Sequence, residues 1–281
     1  MEDLIAHGFI PLDKSWAIRM GILDLVNGSD ETRQYLEKNS ENLCDDLNAL
    51  VRAIKQWNKR EVIDVGESGT LYRFLLFASW KLGRHDQFIT QGTLRERAIC
   101  MNPALVSWSL AHLLTLDKGT SQWASAAVLL GNQERIEPCP YKLAVTSEAV
   151  ADWTHRKQQN MPLHFRFDET IARQAHAYAR WLETGVMHFV PEQAEDYCFA
   201  RAFGLMTKEE GERRWPSLRG HESDRILAME QALTEHQITS RDHRVVQALA
   251  LLHQSGRNIL YPEAVNKSWP QFWQFLAHQV T

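Results

Sequence analysis

The stretch DVGESGTLYRFLLFASW (64–80) decides how this chain is read. A short β-type run, Val62-Ile63-Asp64-Val65, leads into Gly66-Glu67-Ser68-Gly69-Thr70, and a strongly apolar segment follows. Strand, glycine-rich turn and helix start together are the usual way to hold an anion on backbone N–H groups. Glu67 puts a second anion in that turn. It needs either an arginine nearby or a bound molecule that offers donors.

Working outward, the same pattern recurs. A small or polar turn precedes an apolar helix-like segment in LDKSWAIRMGILDLV (12–26), GESGTLYRFLLFASW (66–80), KGTSQWASAAVLLG (118–131), VPEQAEDYCFARAFGL (190–205) and SRDHRVVQALALL (240–252). Short β-type runs such as EVIDV (61–65) and LHFRF (163–167) lie between them. Repetition of a βα-type unit predicts an α/β fold. The segment 31–58 carries leucines and valines at three- and four-residue spacing and predicts one or two half-buried helices. The polar stretch THRKQQNMP (154–162) is a candidate junction between two parts.

The turns carry hydroxyls and cations: Lys14, Ser15 and Arg19 at the first, Gly69, Thr70 and Arg73 at the second, Thr120, Ser121 and Gln122 at the third, Asp242, His243 and Arg244 at the last. Helix-start N–H groups attract an anion, Ser and Thr donate to it, and Arg forks onto carboxylate or phosphate. Any one of these turns alone is an ordinary N-cap; their co-occurrence points to an anionic ligand.

Composition excludes several classes. The chain has 281 residues, is 44% hydrophobic and 23% charged, and carries a net charge of −4. That suits one large or two modest globular domains and disfavours nucleic acid as partner. No apolar run has the length of a membrane span, and MEDLIAHGFI lacks a signal-peptide pattern, so a cytoplasmic protein is expected. Cys44, Cys100, Cys139 and Cys198 are too far apart in sequence for a zinc-type pair, and they read as reduced thiols. The ten tryptophans are scattered and read as packing. GESGT lacks the second glycine of a nucleophile elbow, and no Walker or dinucleotide pattern occurs. His221, Glu222 and Asp224 have no partner at metal-ligand spacing, so no metal is expected.

The ordered turns resemble the 5-enolpyruvylshikimate-3-phosphate synthase family. DKSWAIR resembles its K-S-x-x-x-R opening, DVGESGTLYRF its D-x-G-N-S-G-T-x-x-R-F, and GTSQWASAAVL its S-S-Q-x-x-S-A-L-L. HESDRI, RDHRVVQALAL and KSWPQFW resemble K-E-S/T-D-R, D-H-R-x-x-M-A-x-A and K-S/T-x-P-x-F. The resemblance runs from Lys14 to Trp273 in the family's order. It implies two α/β domains of repeated βαβαββ units, an inside-out α/β barrel fold reduced in size, with the active site in the interdomain cleft. Domain I would comprise residues 1–12 and 160–281, and domain II residues 13–159. It implies transfer of the enolpyruvyl group of phosphoenolpyruvate to a hydroxyl of shikimate 3-phosphate or a related cyclic polyol, with release of phosphate and without a cofactor. That reaction would place the chain in the shikimate pathway of aromatic amino acid biosynthesis.

Carried over residue by residue, the resemblance assigns Lys14, Gly69, Arg97, Gln122, Arg225, Arg244 and Lys267 to phosphoenolpyruvate. It assigns Ser15, Arg19, Thr120, Ser121, Gln122 and Tyr141 to the acceptor. Lys14 and Glu222 are the candidate acids, and Glu192 is the candidate base, standing where the family has the Asp of I-P-D-A-A; an alternative alignment removes that base. One acid and one base on opposite sides serve both addition and elimination.

The chain departs from the family at Glu67 for Asn, Pro138 for Ser, His221 for Lys and Ala98 for Pro, and it is shorter by about one unit between Tyr141 and Glu192. The segment FRFDETIARQAHAYARWLETG (165–185) would be that unit's remnant. The losses fall on the acceptor side, which implies an acceptor other than shikimate 3-phosphate. The loop TQGTL (90–94) lacks the cysteine of the related transferase that acts on UDP-N-acetylglucosamine, which disfavours that acceptor. The alternative function is a protein that binds phosphoenolpyruvate or another anionic metabolite without turnover.

Overall fold

A computed structural model describes residues 2–219 and 224–280. In chain order its helices and strands are α1 (Glu2–Ala6), α2 (Lys14–Val26), α3 (Glu31–Lys38), α4 (Asp45–Lys59), β1 (Ile63–Asp64), α5 (Gly69–Lys81), β2 (Phe88–Ile89), α6 (Leu110–Leu113), α7 (Gln122–Leu129) and α8 (Tyr141–Gln158). There follow α9 (Glu169–Thr184), α10 (Tyr197–Ala202), α11 (Lys208–Arg214), α12 (Arg225–Thr234), α13 (His243–His253) and α14 (Phe272–Val280). The chain divides into two compact units, Asp13–Arg166 and Met1–Leu12 with Phe167–Thr281.

In unit 13–166 the helix starts are written in the sequence. The Asp13 carboxylate accepts from the Ser15 and Trp16 N–H groups at 2.8 and 3.1 Å, which caps α2. Residues Trp16–Leu25 of α2 and Leu71–Ser79 of α5 are buried without a break, so both helices are enclosed on all sides. In α4 Leu47, Leu50, Ile54 and Trp57 make an ordinary one-sided stripe. Gly21 lets α4 approach α2: a Cβ there would lie 3.0 Å from the Leu50 methyls. Helices α2 and α8 run in the same direction. Arg19 bonds Thr146 near their starts, and the Trp153 indole donates to Asp24 at 2.8 Å further along.

In the other unit Asp168, Asp224 and Asp242 cap α9, α12 and α13, each accepting a backbone N–H at 2.9 Å. Helix α13 is central, buried from Arg244 to Leu251. An aromatic cluster of Tyr178, Trp269, Phe272 and Phe275 fills the core, and the Trp269 indole donates to the Phe9 carbonyl at 2.7 Å.

The α/β barrel expectation is corrected. Among the described residues the structure is 61% helical, and the named strands there, β1 and β2, form a two-residue parallel pair. EVIDV contributes only Ile63 and Asp64, and LHFRF only the isolated bridge of Leu12 with Phe167. The runs have ordinary strand length, but among the described residues they find no partners beyond Phe88, Ile89 and Leu12. The segments between the motifs instead carry apolar residues at helical spacing; as α4 and α8 they cover α2, and as α9 they pack against α1. The proposed remnant of a βαβαββ unit, 165–185, is a bridge residue followed by the single helix α9, stopped at Gly185 with φ 72°.

Candidate functional site

In unit 13–166 the head of α2 gathers most of the acceptor-side residues. Arg19 is 2% exposed. It donates to the Ser15 hydroxyl and Thr146 hydroxyl, both at 2.7 Å, and to the Ser15 and Lys142 carbonyls. Burial lowers its pKa to about 10, against the pull of Asp13 and Tyr141. Thr146 in turn bonds Ser125 at 3.0 Å, which ties α7 to the same place. Lys14 is held by Asp46 at 2.7 Å. Tyr141, at the start of α8, is 56% exposed.

The start of α7 is a second knot. Thr120 is buried, and its hydroxyl accepts the Gln122 N–H at 3.2 Å. The Gln122 carbonyl oxygen accepts from Arg73 at 2.7 Å. Arg73 also donates to the Gly69 carbonyl and pairs with Asp117 at 2.7 Å. Asp117 further accepts from the Trp123 indole and the Cys100 N–H, each at 2.9 Å. Asp117, Lys118 and Gly119 have φ of 46°, 63° and 83°, a left-handed run that two non-glycine residues tolerate because Asp117 is so firmly bound. Ser121, the N-cap residue of α7, makes no side-chain capping bond. Sequence reasoning passed over Asp117; the signal was Asp-Lys-Gly directly before a predicted helix start.

Arg97 lies with the opening turn. It donates to the Thr93 hydroxyl at 3.2 Å, and Thr93 donates to Glu67 at 3.4 Å. Glu67 packs over Gly92, where φ is 48° and a Cβ would overlap its carboxylate. Glu67 therefore closes the 66–70 turn onto the 92–97 segment. A groove of about 250 Å³ lies by β1 and β2, lined among others by Arg60, Arg84 and His85; none of the candidate residues lines it.

In the other unit the head of α13 carries Arg225 and Arg244, two of the cations assigned to phosphoenolpyruvate; Lys14 and Arg97 lie in unit 13–166. Arg225 donates to Asp242 at 2.9 Å, and Asp242 also caps α13 through the Arg244 N–H. Burial pushes the Asp242 carboxyl up, but Arg225, His243 and the α13 amide outweigh it and hold it below the ordinary range. Arg225 is raised for the complementary reason: burial lowers it, and Asp242 more than compensates. Arg244 is 6% exposed and approaches Asp168 only to 4.0 Å, and its Nη1 is buried without a hydrogen bond. Burial and Asp242 push the neighbouring Cys198 thiol up. Lys267 ends a 3₁₀ turn, and the Ser268 hydroxyl beside it accepts from Gln247 of α13 at 3.1 Å.

Glu192 sits elsewhere in this unit. Its carboxylate is 61% exposed and lies 3.3 Å from Arg173, while its N–H donates to the fully buried Asp196. Glu222 and His221 lie outside the described residues. Among the described residues no group of three or more His, Cys, Asp or Glu is placed to hold a metal ion, and no helix is long and apolar enough to cross a membrane.

The structure therefore joins Ser15 with Arg19, Gln122 with Arg73 and Gly69, and Arg225 and Arg244 through Asp242. Arg97 is tied to the Glu67 turn, and Glu192 to Arg173. Comparison with known proteins finds no matching family model, no similar curated protein and no similar solved structure.

Proposed function

We propose that the chain binds a small phosphorylated carboxylic acid at the head of α13, with phosphoenolpyruvate the candidate named by the motif order. One observation carries the reading: Arg244 is buried, its Nη1 lacks a hydrogen bond, and its nearest carboxylate stands off at 4.0 Å. A buried guanidinium in that state is stabilised by an incoming anionic oxygen. Arg225 and the start of α13 are already served by Asp242, so Arg244 supplies the attraction.

Calorimetry of the purified chain with phosphoenolpyruvate tests this. Saturable binding that weakens roughly 10- to 100-fold in Arg244→Gln, the worth of one charged hydrogen bond, is the expected result. Absence of binding at millimolar ligand refutes it.

The second reading is enolpyruvyl transfer to a hydroxyl of a cyclic polyol. Six motifs in family order support it; the resemblance assigns Ser15, Arg19, Thr120, Ser121, Gln122 and Tyr141 to the acceptor and Lys14, Glu192 and Glu222 to proton transfer. The contact of Glu192 with Arg173 favours binding without turnover, because the carboxylate is already engaged inside its own unit. Phosphate release from phosphoenolpyruvate with shikimate 3-phosphate and a panel of cyclitols decides between the two.

A further inference from the structure

Helix α13 buries two polar atoms without hydrogen bonds, Arg244 Nη1 and Gln247 Oε1. The residues are 6% and 2% exposed. Spaced i and i+3, they share one face of the helix. Long helical side chains lean toward the N-terminus, so Gln247 reaches back over the turn that carries Arg244. The other end of the Gln247 amide is fixed, its Nε2 donating to Ser268 Oγ at 3.1 Å. Gln247 stands where the resembled motif D-H-R-x-x-M-A has methionine. A buried acceptor left without a donor is costly.

We propose that the seat at the head of α13 takes an anion that also bears a hydroxyl. Arg244 Nη1 donates to an anionic oxygen, and the ligand's hydroxyl donates to Gln247 Oε1. The ligand class is a phosphorylated hydroxy acid. This rests on the anion-binding reading above and adds Gln247 as the residue that sets specificity.

Two ligands isolate the hydroxyl. 2-Phosphoglycerate carries phosphate, carboxylate and a CH₂OH group, and 2-phospholactate carries a methyl in place of that CH₂OH. Calorimetry of the full chain should show 2-phosphoglycerate binding about tenfold tighter, the upper range for one neutral hydrogen bond. Gln247→Met should bring the two affinities together while leaving that for 2-phospholactate within about twofold. Equal affinities in the natural chain, tighter binding of 2-phospholactate, or a preference that survives in Gln247→Met overturns the proposal. If 2-phospholactate binds and responds to Arg244→Gln while the preference is absent, the anion seat stands and this inference alone falls. Binding of neither ligand removes both. The comparison in the natural chain needs no variant to fold.

Discussion

Replacing Asp242 by Asn should lower stability and raise anion affinity at once. The amide keeps the shape and caps α13 nearly as well, since Asn and Asp are about equal at that position. What disappears is the charge facing Arg225. Asp242 and Arg225 side chains are 7% and 19% exposed. Breaking a fully buried pair costs about 3–5 kcal/mol and a surface pair about 0–1. The partial exposure of Arg225 puts this pair between them, at about 2–3 kcal/mol. At roughly 2–4 °C per kcal/mol for a chain of this size, the melting temperature should fall by about 5–10 °C. The same change unmasks one positive charge at the head of α13. At about 6 Å and an effective dielectric of about 20, that charge attracts a bound anion by about 3 kcal/mol before screening, enough for at least a tenfold gain. Thermal melts with and without phosphoenolpyruvate read both effects. The Asn variant should melt lower alone and gain more from the ligand than the natural chain. The acid limb adds a signed check. Asp242 is held below the ordinary carboxylate range, so its contribution is present above about pH 4 and is lost as pH falls further. The gap between the two proteins should therefore close below about pH 4. A variant as stable as the natural chain, or one whose response to ligand is unchanged, refutes the reasoning.

Gly211→Ala would drive a Cβ to well under 3.0 Å from the buried Tyr197 ring, and should cost about 1–3 kcal/mol by thermal melting; Gly21→Ala meets the Leu50 methyls at 3.0 Å, a lesser overlap, and should cost less. Thiol titration at pH 8 should find Cys139, which is exposed, reacting at once and Cys100 more slowly. Cys44, pushed up to about 12 by burial, and Cys198 should react only after denaturation. Asp117→Ala strands the buried Arg73 guanidinium and frees the 117–120 turn; a loss of about 3 kcal/mol or more with new proteolytic cleavage near Lys118 is expected, and an unchanged digestion pattern would contradict the clamp.

Local signals were legible where one residue's chemistry sufficed. Asp242 was readable at a helix start, because a capping carboxylate acts on N–H groups two or three residues away; Asp168, which caps α9 in the same way, was missed inside the expected unit remnant. The long period of residues 31–58 resolved into α3 and α4 with a short turn between them. Strand content was misread because EVIDV and LHFRF look like strands only in isolation. A strand exists through a partner, and among the described residues EVIDV finds only Phe88 and Ile89. The candidate site was legible as residue types at turns, since Arg19, Arg73, Arg225 and Arg244 all lie within the first turn or two of a helix. Their partners were not. Thr146 lies 127 positions from Arg19, and Asp117 lies 44 from Arg73. No local pattern encodes such pairings.

Those pairings also sort the cations by what they are free to do. Lys14 has Asp46, Arg73 has Asp117 and Arg225 has Asp242, each at 2.7–2.9 Å. A ligand that claimed one of these would have to displace an internal carboxylate, and a net gain would be small. Arg19 and Arg244 differ. Arg19 bonds hydroxyls and carbonyls, and burial depresses its pKa to about 10, so holding it charged at neutral pH carries a cost. Arg244 has only the distant Asp168. An anion arriving at either relieves an existing cost without breaking a pair. Anion affinity at the head of α13 should accordingly depend on Arg244, and any at the head of α2 on Arg19, more than on the paired cations of the same unit. Single substitutions should show this at each place separately, and an effect of Lys14→Gln equal to that of Arg19→Gln at the head of α2 would show that pairing does not govern binding there.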